Sequence, residues 1–371
     1  MTKGSNNQPM TFKTFLQILG GTAIVLTLLP FIAADYWWIR VFDFPHLQLT
    51  VFTAIATLAY FMRFDIKWFK DYVFMTVMIA CLVFQVLKIY PYTGVAPYEV
   101  LDAEIEKPEA QLSILVANVL QKNKKYDSLL QEVKAKNPDI LVLLEADTKW
   151  LNAVNASLKS EYPYYEGAPL SNTYGMLLYS KLPLQNAHVH YLVDDSIPSI
   201  DTRVTLKSGD TVQIFAIHPT PPMPQHNPRS TDRDAEMMKT AFKSRESSLP
   251  VLVLGDFNDV AWSESTQLFK EVSELLDPRL GRGLYNTFNA KNWFMRWPLD
   301  HIFVSEHFRV VELDRGAKIG SDHFPAYIKL SLEPGNKAEQ TPPLPNENQL
   351  NRAYDIIKKE ATQKDTRKET N

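Results

Sequence analysis

Residues 251–258 read Val-Leu-Val-Leu-Gly-Asp-Phe-Asn, and this stretch decides how the rest of the chain is interpreted. Four consecutive apolar residues predict a short strand buried on both faces. Asp256 and Asn258 then lie where that strand ends. A lone Asp or Asn more often caps a helix or forms a turn, so further motifs are needed to favour a catalytic interpretation.

The same arrangement, in which polar residues adjoin an apolar run, recurs along the chain. The recurring residues are Asn118, Glu145, His218, Asp300, Asp322 and His323. Polar groups at the ends of buried strands can meet in one cleft while the apolar stretches hold them rigidly. Acids, amides and imidazoles in this order suit metal-assisted attack of water on a phosphate ester.

The amino-acid composition limits which classes of protein and which kinds of site are possible. The chain has 371 residues, 45% of them hydrophobic, and a formal net charge of -3, which predicts one large domain with an appendage. This charge gives no support to a basic nucleic-acid clamp, although a local patch could still steer nucleic acid. The single cysteine, Cys81, rules out a disulfide within the chain and argues against a cysteine-based zinc site.

Three apolar segments predict membrane-spanning helices within residues 1–90. They cover residues 15–34, 47–62 and 72–87, each near the roughly 20 residues that cross a bilayer. A cleaved signal peptide is the alternative for the first segment, but aromatic residues follow it instead of a small-residue cleavage site. We therefore expect a membrane anchor of about three helices.

The distribution of Lys and Arg predicts the orientation. These residues precede the first apolar segment and lie between the second and third, which places the N-terminus in the cytoplasm. Three spans then put the following domain on the extracytoplasmic side of the inner (cytoplasmic) membrane. If the second segment does not insert, the domain faces the cytoplasm.

The rest of the chain, residues 91–371, divides into three parts. Residues 91–110 are rich in proline and acids and predict a linker. Residues 111–333 contain many short strands and few helices, which predicts two packed sheets flanked by helices. Residues 334–371 are too polar to bury a core and predict a disordered tail, with a short helix near 351–361 as an alternative.

The motifs resemble the endonuclease/exonuclease/phosphatase superfamily. Gly-Asp-Phe-Asn followed by Ser-Asp-His is a specific signal, and the resemblance covers roughly residues 112–330. It implies an α/β (α+β) fold, a four-layer sandwich of two mixed β-sheets flanked by helices. The preceding apolar segments resemble those of bacterial membrane-anchored members, although Leu144 stands where many relatives have glutamine.

The resemblance also implies a metal site and a water-activating group. Glu145 matches a ligand of Mg²⁺ (or Mn²⁺), a hard cation that prefers oxygen. Asn118 matches the amide beside it and contacts substrate, and Asp322 matches a further metal ligand or a residue that organises the catalytic group. Asp256 matches the acid that orients or deprotonates the attacking water, with Asn258 holding that water or a phosphate oxygen.

Further residues are expected to bind the phosphate. The resemblance implies that His218 and His323 donate to it and that Asp300 orients His323. Arg203 matches a position at which relatives often place an arginine near the phosphate, with a surface arginine as the alternative. Arg233 follows a proline-rich loop that could present it to a phosphate, with an ordinary surface connection as the alternative.

Other polar residues near the motifs predict structural roles. Alternation directs His301 to the face opposite Asp300, so it is interpreted as structural. Asp147 and Asp259 are interpreted as turn acids. The aromatic stretch 292–297 could stack a base, grip a lipid headgroup or rest on a bilayer.

These observations favour a membrane-anchored, metal-dependent phosphoesterase that cleaves phosphodiester or phosphomonoester bonds by attack of water. Anchoring favours a phospholipid or another membrane phosphate as substrate. An extracytoplasmic nuclease acting on nucleic acid is the first alternative, and a catalytically silent binding protein of the same fold is the second. The sequence indicates the lipid bilayer as a partner and gives no sign of an obligate protein partner.

Overall fold

The computed structural model describes residues 11–32, 35–104, 106–223 and 228–370, except for the side chains of 367–370. Residues 1–10 and 33–34 of the predicted anchor, residue 105 of the predicted linker and residue 371 of the predicted tail lie outside the described residues. The chain divides into two compact units, Met1–Pro91 and Tyr92–Asn371.

The first unit is helical. Its helices are α1 (Phe12–Leu28), α2 (Trp37–Arg40), α3 (His46–Phe61) and α4 (Phe69–Ile89). Gln85 of α4 donates from Nε2 to the hydroxyls of Thr27, at 2.6 Å, and Thr53, at 3.0 Å. Hydrogen bonds between helices stabilise packing of this kind in lipid, where the hydrophobic effect does not drive apolar helices together.

Two helical stretches are long and apolar enough to cross a membrane. They are Phe12–Phe31 and Phe69–Tyr92. Trp37–Asp43 and His46–Phe61 form a pair bent by 68°, which adds a third candidate if the pair counts as one span. The described residues thus contain two candidate spans, or three, where the sequence predicted about three.

The second unit contains the strands and the remaining helices. The strands are β1 (Gln111–Asn118), β2 (Ile140–Leu144), β3 (Tyr164–Ala168), β4 (Met176–Ser180), β5 (Leu184–His190), β6 (Ser199–Thr205), β7 (Thr211–Ile217), β8 (Val251–Asp256), β9 (Asp300–Val304), β10 (Phe308–Arg315) and β11 (Ala326–Leu332). The helices are α5 (Tyr126–Lys136), α6 (Thr148–Leu158), α7 (Thr231–Arg245), α8 (Glu264–Ser273) and α9 (Glu347–Thr370).

The strands of the described chain form two mixed sheets. The six-stranded sheet has the order β10-β11-β1-β2-β4-β3 and the five-stranded sheet the order β5-β6-β7-β8-β9. Within them, β1 runs parallel to β2 and β7 runs parallel to β8, whereas β11 and β9 are antiparallel to β1 and β8. The two parallel pairs therefore occupy equivalent places in the two sheets.

The apolar pattern of the central strands explains the four layers. On β1, Ile114 and Val116 join the cluster between the two sheets, whereas Leu115 and Ala117 join the cluster with α5 and α6. A strand buried on both faces must be apolar at successive positions, as β1 is. Helices α7, α8 and α9 cover the outer face of the other sheet. The sandwich predicted from the sequence is confirmed.

The structure differs from the predictions for the linker and for the C-terminal tail. The predicted linker 91–110 packs into the second unit, because Val100 is fully buried in the core between the sheets and Val310 N donates to Leu101 O at 3.0 Å. The predicted disordered tail contains the long helix α9. Its Ala353 is fully buried beside α7 and α8, so a few apolar side chains suffice to fix a largely polar segment.

Candidate active site

The carboxylate of Asp256 lies at the centre of the site. It ends β8 and is 1% exposed. Its Oδ1 accepts a hydrogen bond from Asn258 N at 3.0 Å, and its Oδ2 accepts one from Asn118 Nδ2 at 3.0 Å. These bonds fix the direction of both carboxylate oxygens.

Asn118 links Asp256 to Glu145. Its Nδ2 also donates to Glu145 Oε1 at 2.9 Å, and its Oδ1 accepts from Leu120 N at 3.0 Å. One amide thus bridges two carboxylates that come from the ends of β8 and β2. Because β1 and β2 are parallel and neighbouring, Asn118 at the end of β1 lies beside the residue that follows β2.

The Glu145 carboxylate has the surroundings of a cation ligand. Burial raises its pKa, the bond from Asn118 opposes that shift, and the charge of Asp256 reinforces it. Among the described residues it forms no ion pair. Its hydrogen bonds come only from neutral donors among the described residues, Asn118 Nδ2 and Gln121 N, so the carboxylate keeps its charge for a ligand, and this oxygen donor fits a hard divalent cation.

His323 is held between two acids. Its Nδ1 lies 2.8 Å from Asp300 Oδ2 and its Nε2 lies 3.5 Å from Asp256 Oδ2. The two acids are close because Asp256 and Asp300 are paired in register on β8 and β9. Burial by itself lowers the pKa of His323, but the charges of Asp300 and Asp256 outweigh it and raise that pKa to about 10. His323 is therefore an imidazolium at neutral pH.

His218 faces the same carboxylate and has the opposite protonation. Its Nε2 lies 3.9 Å from Asp256 Oδ2. Burial lowers its pKa, Asp256 opposes this shift and His323 adds to it, so the ring is neutral at neutral pH. Its Nδ1 is buried and has no hydrogen-bond partner among the described residues. One cationic and one neutral imidazole thus flank Asp256.

A second possible cation site overlaps this pair. Ligand atoms of Asp256, Asp300 and His323 all lie within 4.8 Å of one another. A metal there would have to compete with the proton that both acids hold on His323. Glu145 forms no ion pair with an imidazole in the described part of the chain, so a divalent cation bound there would not have to displace the proton of His323.

Asn258 and Asp322 occupy the rim of the site. Asn258 has a φ of 50° and donates from Nδ2 to Pro219 O at 3.0 Å, which ties the loop after β8 to the loop after β7. Asp322 is half-buried, and its backbone oxygen accepts from Ala290 N at 2.6 Å. Its side chain lies 3.4 Å from Ser321 Oγ and is not part of the Asp256, Asp300 and His323 group. Its role as a metal ligand stays a prediction.

The two arginines predicted to bind substrate do not lie in the site as expected. Arg203 is exposed and lies opposite Gln213 in the β6–β7 pair, with Nε 3.3 Å from Gln213 Oε1. From position 213 to His218 the strand advances about 16 Å at about 3.3 Å per residue. The prediction for Arg203 is therefore wrong, because β6 runs antiparallel and carries it away from the cleft.

Arg233 is buried next to the site and bonds residues of the loop after β8. It is 1% exposed, pairs with Asp234 at 2.8 Å and Asp259 at 3.1 Å, and donates from Nη1 to Asn258 O at 3.0 Å. A guanidinium engaged in this way is not available to a phosphate. The prediction that Arg233 binds substrate is wrong, and its action is to position the Asn258 loop.

The residues interpreted as structural have the expected roles with one difference. His301 is buried on the opposite face, where its Nδ1 lies 2.6 Å from Arg279 Nη2 and its Nε2 lies 2.9 Å from Asp259 O. Asp147 caps α6 by accepting from the backbone N of positions 149 and 150. Asp259 is more than a turn acid, because it is the buried partner of Arg233.

Sequence reasoning missed two residues that shape the pocket. Thr287 Oγ1 accepts from Asp300 N at 3.2 Å, and the ring of Phe288 lies 5.0 Å from that of His323. Both lie in an irregular segment where no apolar period predicts their position. No sequence signal distinguishes them from other loop residues.

Two mixed sheets are packed face to face, and acids, an amide and two imidazoles meet at the ends of their central strands. Residues 114–323 match the profile of the Endonuclease/Exonuclease/phosphatase family, and the chain belongs to that family. Its members hydrolyse phosphate ester bonds with a divalent metal. The resemblance inferred from the sequence is confirmed.

Three solved structures are similar to this chain at low identity. The human Nocturnin catalytic domain with bound sulfate is 18% identical, with 65% of this chain and 99% of that chain covered and a TM-score of 0.50. A functionally unknown conserved protein from Enterococcus faecalis V583 is 15% identical, with coverages of 60% and 100% and a TM-score of 0.50. D. rerio TDP2 complexed with a single-strand DNA product is 15% identical, with coverages of 60% and 99% and a TM-score of 0.49. Among curated proteins, no relative was found.

Proposed function

We propose that this chain is a membrane-anchored, divalent metal-dependent phosphodiesterase. The observation that carries the proposal is the convergence on Asp256: its Oδ2 lies 3.0 Å from Asn118 Nδ2, 3.5 Å from His323 Nε2 and 3.9 Å from His218 Nε2. Three strand ends and the short segment before β11 supply these groups, which is the rigid support that a catalytic constellation requires.

Asp256 is the group that accepts a proton from the attacking water. Burial raises its pKa, although His323 and His218 oppose the shift. A carboxylate with a raised pKa is a better base than an exposed one. Asn118 and the backbone N of Asn258 hold its two oxygens, so that it faces the reacting water in one orientation.

The two imidazoles bind the phosphate. His323, kept protonated by Asp300, donates a charge-assisted hydrogen bond to an oxygen on which negative charge develops. His218, a neutral ring, has one donor and one acceptor nitrogen and so serves either a phosphate oxygen or the leaving group. Both rings are buried, and charge stabilisation is stronger where water is excluded.

Glu145 would hold the divalent cation, with Asn118 beside it. Mg²⁺ or Mn²⁺ bound there would supply positive charge that stabilises the developing negative charge of the phosphate ester. Glu145 has a φ of 58°, so its backbone turns sharply after β2 and projects the carboxylate at the cleft. The two candidate spans are the support for membrane anchoring and for a phosphodiester presented by a membrane.

The test is hydrolysis of bis-p-nitrophenyl phosphate by the purified full chain in detergent. We expect activity with Mg²⁺ or Mn²⁺ that chelation abolishes. Asp256→Asn removes the base and should lower kcat/KM by about 10²-fold to 10⁴-fold. Glu145→Gln removes a charged ligand and should raise the metal concentration needed for half-maximal rate.

Asp147→Asn is the matched control, because Asp147 lies two positions after Glu145 and only caps α6. Asparagine caps a helix as well as aspartate does, so this variant should keep the rate and the metal requirement. Unchanged rates in both Asp256→Asn and Glu145→Gln would overturn the proposed function.

A further inference from the structure

One exposed loop is fixed directly beside the catalytic imidazole. We call residues 289–296 the aromatic loop. Its base is held by the pairing of Phe288 with both His323 and Trp297, and by Ala290 N donating to Asp322 O at 2.6 Å. The loop therefore begins and ends next to the Ser-Asp-His segment of the site.

The tip of the aromatic loop is apolar and exposed. Trp293 is 82%, Phe294 55% and Met295 41% exposed. The turn is ordered by Asn292, whose Oδ1 accepts from Phe294 N at 2.9 Å and from Met295 N at 3.1 Å. Consecutive large apolar side chains that a formed turn holds in water indicate an interaction surface.

Two guanidinium groups, one of them in the aromatic loop, lie beside the residue that follows His323. Arg296 and Arg315 stack on the ring of Phe324, at 5.1 Å and 4.3 Å from its centroid. Burial lowers the pKa of Arg315, and the charge of Arg296 lowers it further, so the two cations are close to each other. Neither forms an ion pair among the described residues, although Arg315 donates from Nη1 to Asn286 O at 3.1 Å.

We propose that the aromatic loop, which ends with Arg296, forms with Arg315 a bilayer-contact surface that inserts its tip into an anionic membrane and brings membrane phosphodiesters to His323. This inference rests on the proposed function and names its substrate class. An apolar tip enters the region between headgroups and acyl chains, where tryptophan is favoured, and the two arginines then meet anionic headgroups.

Chain continuity favours a bilayer over other apolar partners. The candidate span Phe69–Tyr92 ends where the second unit begins, so the unit is tethered to the membrane that the span crosses. Tethering raises the effective concentration of a weakly inserting surface, and a three-residue tip then suffices for contact. Met295 at the tip also favours lipid, because a thioether offers a base no flat stacking surface.

The first experiment measures insertion and does not depend on catalysis. The only cysteine is replaced by Cys81→Ser in the full chain, and Trp293→Cys is labelled with an environment-sensitive nitrobenzoxadiazole dye. The protein is reconstituted into phosphatidylcholine vesicles, with or without phosphatidylglycerol, that contain a doxyl-labelled quencher lipid. Leu344→Cys is the matched control, because Leu344 is 77% exposed in the same unit.

We expect blue-shifted, quenched emission from the label at position 293, with stronger quenching when phosphatidylglycerol is present. The label at position 344 should show water-like emission without quenching. Equal, water-like emission from both labels would overturn the inference. This result does not involve hydrolysis, so it separates failure of the surface from failure of the proposed function.

The second experiment compares two substrates with the same reacting group, hexadecyl p-nitrophenyl phosphate in vesicles and methyl p-nitrophenyl phosphate in water. The double variant Trp293→Ala and Phe294→Ala should lower the vesicle-to-soluble ratio of kcat/KM by about tenfold or more. Leu344→Ala should keep the ratio. A larger loss on a single-stranded oligonucleotide than on the hexadecyl ester would instead assign the loop to base stacking and contradict the proposal.

Discussion

At the scale of single residues, two buried histidines on one carboxylate differ in charge because their other neighbours differ. Burial lowers the pKa of both rings. His323 has Asp300 on its second nitrogen, and a close carboxylate shifts a pKa by about one to three units. His218 has no such partner on its Nδ1 among the described residues. The site thus provides one cationic donor and one neutral ring.

Asp300→Asn should therefore change the pH dependence of hydrolysis. Because the pKa of His323 is raised to about 10, its proton is retained through neutral pH and lost as the pH rises through that value. An asparagine at 300 removes the nearest charge that holds the proton, while burial continues to lower the pKa. The alkaline limb of kcat/KM should then move down by about one to three pH units, measured with bis-p-nitrophenyl phosphate at saturating metal.

Asp147→Asn serves again as the control and should keep the alkaline limb of the parent. The same limb in Asp300→Asn and the parent would contradict the assignment of His323 as an imidazolium donor. It would indicate instead that another group titrates in the profile.

At the scale of elements, strand direction decides which polar residues meet. The parallel pairs β1–β2 and β7–β8 send their last residues to one edge, and the antiparallel strand β9 begins at that edge with Asp300. Gly255 allows a close approach of β7 and β8, since a Cβ atom there would lie 1.9 Å from Ile217 O. That is why glycine precedes Asp256 and why His218, directly after β7, reaches it.

Substitutions of Arg233 and Arg203 test the positions that the helices and strands give to these two side chains. Arg233→Met leaves the buried acids Asp234 and Asp259 without their guanidinium, which should cost about 3–5 kcal/mol. It should also lower kcat/KM, because Asn258 O loses a donor. Thermal unfolding in detergent and the hydrolysis assay measure both effects.

Arg203→Met is the matched control, because Arg203 is exposed and its side chain bonds only Gln213 among the residues that the structure describes. It should change the free energy of unfolding by less than about 0.5 kcal/mol and leave kcat/KM within twofold of the parent value. A loss of tenfold or more in this variant would restore Arg203 as a substrate ligand and contradict the position that the sheet gives it.

At the scale of the whole molecule, the number of apolar helices that cross a membrane would decide which side of that membrane the second unit, Tyr92–Asn371, faces. The two longer candidate helices give an even number of spans, and the bent pair makes the number odd if it crosses as one span. The excess of Lys and Arg before the first segment and between the second and third favours three spans. We therefore propose that the unit Tyr92–Asn371 lies outside the cytoplasm.

Fusion reporters in a Gram-negative bacterial host test this orientation. Alkaline phosphatase, which folds only outside the cytoplasm, should be active when fused after Asn371. The same reporter fused after Lys67, between the second and third segments, should be inactive. Inactive phosphatase with a fluorescent cytoplasmic reporter at Asn371 would show that the bent pair does not cross.

Much of the site was predictable because its residues adjoin apolar strands whose pattern is local. Asn118, Glu145, His218, Asp256, Asp300 and His323 all belong to such junctions and are brought together. Arg203 and Arg233 were not predictable, since strand direction and buried partners depend on contacts distant in sequence. Helix α9 was not predictable for the same reason. Its few apolar residues are buried only because α7 and α8 pack against them.

The sequence by itself determined the family, the two-sheet architecture and the chemical types at the strand ends, because alternation and motif order are properties of short stretches. Only the tertiary structure decided which nitrogen of His323 meets which acid, which histidine is charged, and that Phe288 fastens an exposed aromatic tip beside the site. Those properties depend on distances between residues far apart in the chain, and on the burial that sets the energy of each charge.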